Sequence, residues 1–173
     1  IQLYDKDPKN IDGSIISSVV PPLTTVLKRA VEFVTGKTPL IVNLEMDSGV
    51  KVEIDDPNQI GADLLVGAVA GVNRYPLPQI IIDMGTATTI SVIDRNKNFI
   101  GGVIMPGLRI SAESLSSRTS QLPQISLDPP RKAIGRNTID CMRSGIVLGC
   151  AATIDGIVEK IEQELGYPCT VVS

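Results

Sequence analysis

After Pro21-Pro22 the apolar residues fall at Leu23, Val26, Leu27, Ala30, Val31 and Val34. That three-and-four spacing predicts a helix, with prolines suited to its first turn and Gly36 suited to its end. Upstream, Ser14 to Val19 reads as a short buried strand, and downstream residues 39–44 and 50–54 read as strands. A Pro-Asn turn then delivers the chain into a second helix with Leu65, Val66, Val69 and Val72 on its apolar side, ending near Arg74 ahead of Pro76 and Pro78. From residue 80 to 107 the period changes to that of strands, centred on Asp83, Ser91 and Gly101 and separated by a Gly-Thr turn and a polar hairpin tip. Pro106-Gly107 bends the chain into a shorter helix around Ser111 to Ser117, and the proline-rich stretch from Arg118 to Gly135 is expected to be extended.

The last helix has the clearest start. Asn137 can cap it, Asp140 follows at the third position, and Ile139, Met142, Ile146, Cys150, Ile154, Ile157, Ile161 and Leu165 form one apolar stripe before Gly166 and Pro168. Gly145 and Gly149 lower helix propensity by roughly 1 kcal/mol each, which predicts close backbone packing against a neighbouring helix or a second subunit. Core packing is the stronger expectation for a stripe of this length.

Composition narrows the function. With 173 residues, 43% hydrophobic and 20% charged, the chain can bury one globular core or two small lobes. Its 16 basic and 19 acidic residues leave no basic stripe for a nucleic-acid backbone and no polybasic membrane patch. No uninterrupted apolar run approaches the ~20 residues of a membrane helix and no signal peptide is evident, so a cytoplasmic location is expected. The absence of histidine excludes imidazole-based nucleophile pairs and HExxH zinc sites, leaving proton transfer to a carboxylate. Cys141, Cys150 and Cys169 lack metal or redox spacing and are expected to be buried thiols. On a regular helix Cys141 and Cys150, nine residues apart, would be turned by about 900° and face opposite ways.

The chemistry concentrates at DMGTATT, residues 83–89, where one carboxylate meets a fan of amide and hydroxyl donors at a strand turn. That arrangement receives nucleotide phosphates and their counter-cation. It resembles the phosphate loop of the actin-like sugar-kinase superfold. With GAD at 61–63, GGVIMPG at 101–107, QLP at 121–123, IGRNT at 134–138 and SGIVLG at 144–149, in that order and spacing, the chain resembles type III pantothenate kinases from SSVVP onward.

The resemblance implies an α/β, two-lobed actin-like (ribonuclease-H-like) fold, here truncated at both ends. It also implies transfer of the γ-phosphoryl of ATP to the primary hydroxyl of pantothenate, the first step towards coenzyme A. By position, Asp63 would be the proton acceptor, Asp83 would hold a monovalent cation such as potassium or ammonium, and Thr86 would contact ATP, with magnesium accompanying the nucleotide. Gly61, Ala62, Asp63, Leu64 and Thr138 would contact pantothenate. A homodimer is also implied, with the helix from Thr138 to Leu165 as the candidate contact. Asp63 suits its role because the helix dipole favours a negative charge at a turn-to-helix junction.

Each residue has a plainer reading. Asp63 could cap its helix. Asp83 could be a polar strand end, although a carboxylate at a buried terminus after Ile80, Ile81 and Ile82 would need a cation or donors. Thr88 and Thr89 could be ordinary strand formers, and Thr138 could simply start its helix.

Two positions depart from the family pattern: Leu64 stands where an arginine is common and Ile54 where a tyrosine is common. No Asp-x-Gly-Asn-Thr loop precedes SIISS, and the chain ends at CTVVS ahead of a glycine-rich nucleotide segment. These residues alone are therefore expected to bind ATP poorly. The expected division is a truncated first lobe over 1–76 and a second lobe over 77–173. A non-catalytic accessory protein, or a superfold relative acting on another substrate, are the alternatives.

Overall fold

The computed structural model describes residues 7–173; the first six residues of the expected first lobe lie outside the described residues. In chain order the elements are β1 (Ile15–Ile16), α1 (Pro21–Thr35), β2 (Leu40–Ile41), β3 (Lys51–Val52), α2 (Ala62–Arg74), β4 (Gln79–Met84), β5 (Ala87–Ile93), β6 (Asn98–Pro106), α3 (Leu108–Arg118), α4 (Thr138–Arg143), α5 (Gly149–Leu165) and β7 (Thr170–Val172). A π turn, Ser144–Leu148, joins α4 to α5 without a break.

β4, β5 and β6 form an antiparallel meander, to which β3 adds in parallel beside β6 and β7 in parallel beside β4. The hairpin tip is held locally: Asp94 Oδ1 accepts the amides of Asn96 at 2.7 Å and Asn98 at 2.8 Å, and Lys97 adopts φ 66°. Because side chains alternate along a strand, the sheet has two apolar faces. On one, Ala68 of α2 packs with Val50, Ile93 and Phe99. On the other, Ile80, Ile82 and Ile90 pack under Ile154, Ile157, Val158 and Ile161 of α5. The result is a three-layer α/β arrangement. A smaller cluster of Ala112, Met142 and Ile146 joins α3 to the long helix.

The expected lengths of three strands are corrected. The strands foreseen over 14–19, 39–44 and 50–54 shrink to two residues each, because β1 and β2 pair only with one another and β3 only with β6. β3 and α2, which precede the expected division near Pro76, pack on the sheet that follows it. Gln79 reinforces that join, donating from Nε2 to the carbonyls of Gly71 at 3.1 Å and Tyr75 at 2.7 Å.

The long helix differs most from expectation. A Cβ at Gly145 or Gly149 would meet nothing, so neither glycine allows a close approach within this chain. Cys141 is exposed, and Cys150 and Cys169 are half-buried rather than buried. The π turn carries one extra residue, so the helix turns by about 800° rather than 900° between Cys141 and Cys150, leaving them about 80° apart. Both therefore line one cavity of about 690 Å³ beside α3, together with Gly145 and Thr153. Taken as one 28-residue unit, Thr138–Leu165 is also long and apolar enough to cross a membrane by length and composition, with a mean hydropathy of 1.4 in its richest window. Here its Ile154, Ile157, Val158 and Ile161 lie on the sheet instead.

Candidate functional site

Asp63 stands in the first turn of α2, two residues after the Gly61 N-cap, and its Oδ1 accepts the Leu64 amide at 2.9 Å. It is thus neither the N-cap nor buried; its exposed carboxylate folds back over Gly61, where any side chain would collide with Oδ1. Gly61 and Ala62 line a cavity of about 680 Å³ whose other walls include Ser18, Thr24, Asn43 and Glu45. The carboxylate therefore sits beside a polar pocket of small-molecule size.

Asp83 is the penultimate residue of β4 and is exposed, correcting the expectation of a buried strand terminus. The core ends at Ile82, one residue earlier, because α2 and α5 cover the sheet only that far. No ion pair reaches Asp83 among the described residues. Directly across the ladder lies Thr89, whose buried hydroxyl lacks a hydrogen-bond partner. A carboxylate next to an unsatisfied hydroxyl is an oxygen-rich donor set that fits a hard monovalent cation. Elsewhere no group of three or more His, Cys, Asp or Glu side chains converges among the described residues.

The turn itself is tightly built. Gly85 donates to the Ala87 carbonyl at 3.0 Å, and Gly107, at the start of α3, donates to the Thr86 carbonyl at 3.1 Å. A Cβ at Gly107 would collide with the Gly85 and Thr86 carbonyls, so the Pro-Gly bend packs directly against the turn. Thr86 is left exposed at the rim of a second cavity of about 460 Å³, which Thr88 and Leu108 also line. Gly61-Ala62 and Gly85-Thr86 thus belong to two cavities that share no lining residue.

Thr138 is the first residue of α4 and exposed; beside it Asn137 Oδ1 accepts the Asp140 amide at 2.9 Å and Asn137 Nδ2 donates to Asp140 Oδ2 at 2.7 Å. It lines neither of these two cavities. Leu64 and Ile54, the two departures from the family pattern, both pack against the Val50–Ala68–Ile93–Phe99 core.

The model of the family described as type III pantothenate kinase matches residues 1–160. The chain belongs to the type III pantothenate kinase family. A type III pantothenate kinase of Bacillus cytotoxicus is 41% identical to it over 164 residues, 95% of this chain. The chain spans 63% of that curated relative's length. A crystal structure of a conserved Campylobacter jejuni protein, assigned to the Baf family of transcriptional activators, aligns with a TM-score of 0.54 over 88% of this chain and 68% of that one. At 20% identity that likeness concerns the fold alone. The mixed α/β architecture is that expected of the family's actin-like fold.

Sequence reasoning missed Arg109 and Glu113, which line the Thr86 cavity from α3. Their four-residue spacing just after the Pro-Gly bend was the available signal, since it puts both on one face of a helix that starts at the turn.

Proposed function

We propose that the full-length protein is a cytoplasmic, ATP-dependent pantothenate kinase that transfers the γ-phosphoryl of ATP to the primary hydroxyl of pantothenate, opening coenzyme A synthesis. The observation that carries this reading is family membership across nearly the whole chain, with the Asp-x-Gly-Thr turn pressed against Gly107. In it, Asp63 accepts the proton of the attacking alcohol, an effect worth about 10² to 10⁴ in rate. Gly61, Ala62, Leu64 and Thr138 contact pantothenate, and Thr86 contacts ATP, which brings magnesium. Asp83, with Thr89 opposite, holds the potassium or ammonium ion, whose charge offsets that of the phosphates when bound. The remaining work is positioning. The lobes meet near Pro76, with β3 and α2 bridging them.

A homodimer belongs to the same reading. Supporting it, Ile139 and Leu148 of the long helix are 42% and 40% exposed, and open space surrounds Gly145 and Gly149. The test is ADP release by the full-length protein, expected to require pantothenate and potassium or ammonium and to fall by at least 10²-fold in Asp63→Asn. A folded protein that binds nucleotide but never turns over on pantothenate overturns it.

A second reading, a non-catalytic accessory member, draws on Leu64 and Ile54, whose side chains are spent on the core. It expects Asp63→Asn to leave the biological role untouched.

A further inference from the structure

Residues 119–137 join α3 to α4 with neither helix nor strand, and a connection of that length inside a folded unit usually serves a function or is disordered. This strap is pinned to the long helix. Leu122 and Ile125 pack on the Ala112–Met142–Ile146 cluster, and Ser144 Oγ donates to the Ala133 carbonyl at 2.5 Å. Gly135 lies so close to the backbone of Asp140 and Cys141 that a Cβ would collide with it. Between Ile125 and Ala133 the hold comes from one side chain. Arg143, the last residue of α4, donates from Nε to the Ser126 carbonyl at 3.2 Å and from a terminal nitrogen to Ser126 Oγ at 2.5 Å and Asp128 Oδ2 at 2.9 Å. Ser126 Oγ donates in turn to Asp128 Oδ2 at 2.6 Å, which closes the clasp. Among the described residues only this ion pair joins separate parts of the chain, since the other links Lys51 to nearby Glu53.

The residue held between Ser126 and Asp128 is Leu127. It packs in none of the three apolar clusters and stays 36% exposed, yet it lines the cavity at the Gly85–Thr86 turn, whose other walls come from the β4–β5 hairpin and α3. Stability alone does not account for the clasp: the Asp128 side chain is 65% exposed, and ion pairs in such surroundings add little to folding. We infer that Arg143 is a positioning residue, which by fixing Ser126 and Asp128 holds Leu127 as the apolar strap-side wall of that cavity. The inference rests on the kinase reading for what occupies the cavity, and adds how the cavity is closed on this side. An apolar wall keeps water off the rim, and a ligand's charge is attracted more strongly to the donors of the turn where water is excluded. Arg143 itself lines neither this cavity nor the one beside Asp63, so its effect travels through Leu127.

Calorimetry with AMP-PNP, steady-state kinetics and amide hydrogen exchange on the full-length protein test this. Arg143→Ala is expected to weaken AMP-PNP binding and raise the KM for ATP about fivefold, with kcat and the KM for pantothenate within about twofold of wild type. Arg143→Lys, which keeps the charge for Asp128 but loses the fork that also reaches Ser126, should recover part of the loss. Because Arg143 acts through Leu127, Leu127→Ala should give a similar loss, and the double variant should bind no more weakly than either single one. Exchange in Arg143→Ala should quicken about tenfold over 122–130 and over 85–88 while α5 keeps its protection. Additive losses in the double variant, AMP-PNP affinity in Arg143→Ala within about twofold of wild type, or unchanged exchange over 85–88 each overturn the inference. Should the wild type neither bind AMP-PNP nor turn over pantothenate, the kinase reading falls and the exchange pattern alone decides whether Arg143 holds the wall.

Discussion

The meander and the α1 region are built from similar numbers of apolar residues but bury them very differently. Ile80, Ile90 and Ile93 of β4 and β5 are at most 1% exposed, whereas on α1 Leu23 is 50%, Val26 61% and Phe33 92% exposed. The meander pairs β4 with β5 over six residues, and helices cover both of its faces. α1 stands instead beside a two-residue parallel pair. The surface reflects the imbalance: 11770 Å² is accessible, against about 8,200 Å² for a compact monomer of 18.4 kDa. An apolar stripe therefore specifies a helix without specifying what covers it. Covering it takes a second element of matching length, and among the described residues α1 meets only the short β1 and the turn at Pro8–Asn10.

The contrast is easiest to break by truncating one side chain in each region. Ile90→Ala should cost about 2–5 kcal/mol in urea unfolding, from lost burial plus an unfilled cavity under α5. Val26→Ala on α1 should stay within about 0.5 kcal/mol. Equal costs would mean that α1 is covered in solution. Next in size is Gly107→Ala, whose methyl meets the carbonyls of Gly85 and Thr86. It should cost about 1–3 kcal/mol and displace the turn, seen as weakened nucleotide binding alongside a lower melting temperature.

Smaller still, Asn137→Ala removes the side-chain oxygen that accepts the Asp140 N–H at the start of α4 and should cost about 1 kcal/mol, read from the same denaturation curves. The smallest effect is at alkaline pH. Burial pushes the Cys169 thiol up, the Glu162 carboxylate adds to that, and Arg95 opposes it. The unfolded chain then loses this proton first, so the contribution is complete below the ordinary thiol range and is lost as pH rises through it towards the raised value. Cys169→Ala should flatten that alkaline limb in melting temperature measured from pH 7 to 10.

Much of the candidate site was legible because its signals are local. The Asp-x-Gly-Thr turn, the Pro-Gly bend and the Gly-Ala-Asp junction all stand at element ends, and the structure leaves Asp63, Asp83, Thr86 and Thr138 exposed there. Arg109 escaped notice because its relevance depends on Gly107 docking against Thr86, a contact across 21 positions. The thiol geometry was misread because a 3.6-residue period was assumed across Ser144–Leu148, where the backbone follows a π turn.

What the order of residues decided alone is the set of elements that local chemistry can start and stop. The Asn137 cap starts one helix, and the left-handed glycines at 36 and 166 end two others, through bonds made within one turn. The tertiary structure decided which faces are covered, that β3 joins β6, that Thr88 lies buried without a partner, and that α3 points its first turn at the Gly85–Thr86 loop. Those outcomes depend on segments far apart along the chain. Their meeting is governed by packing of whole surfaces, which no short window of residues encodes.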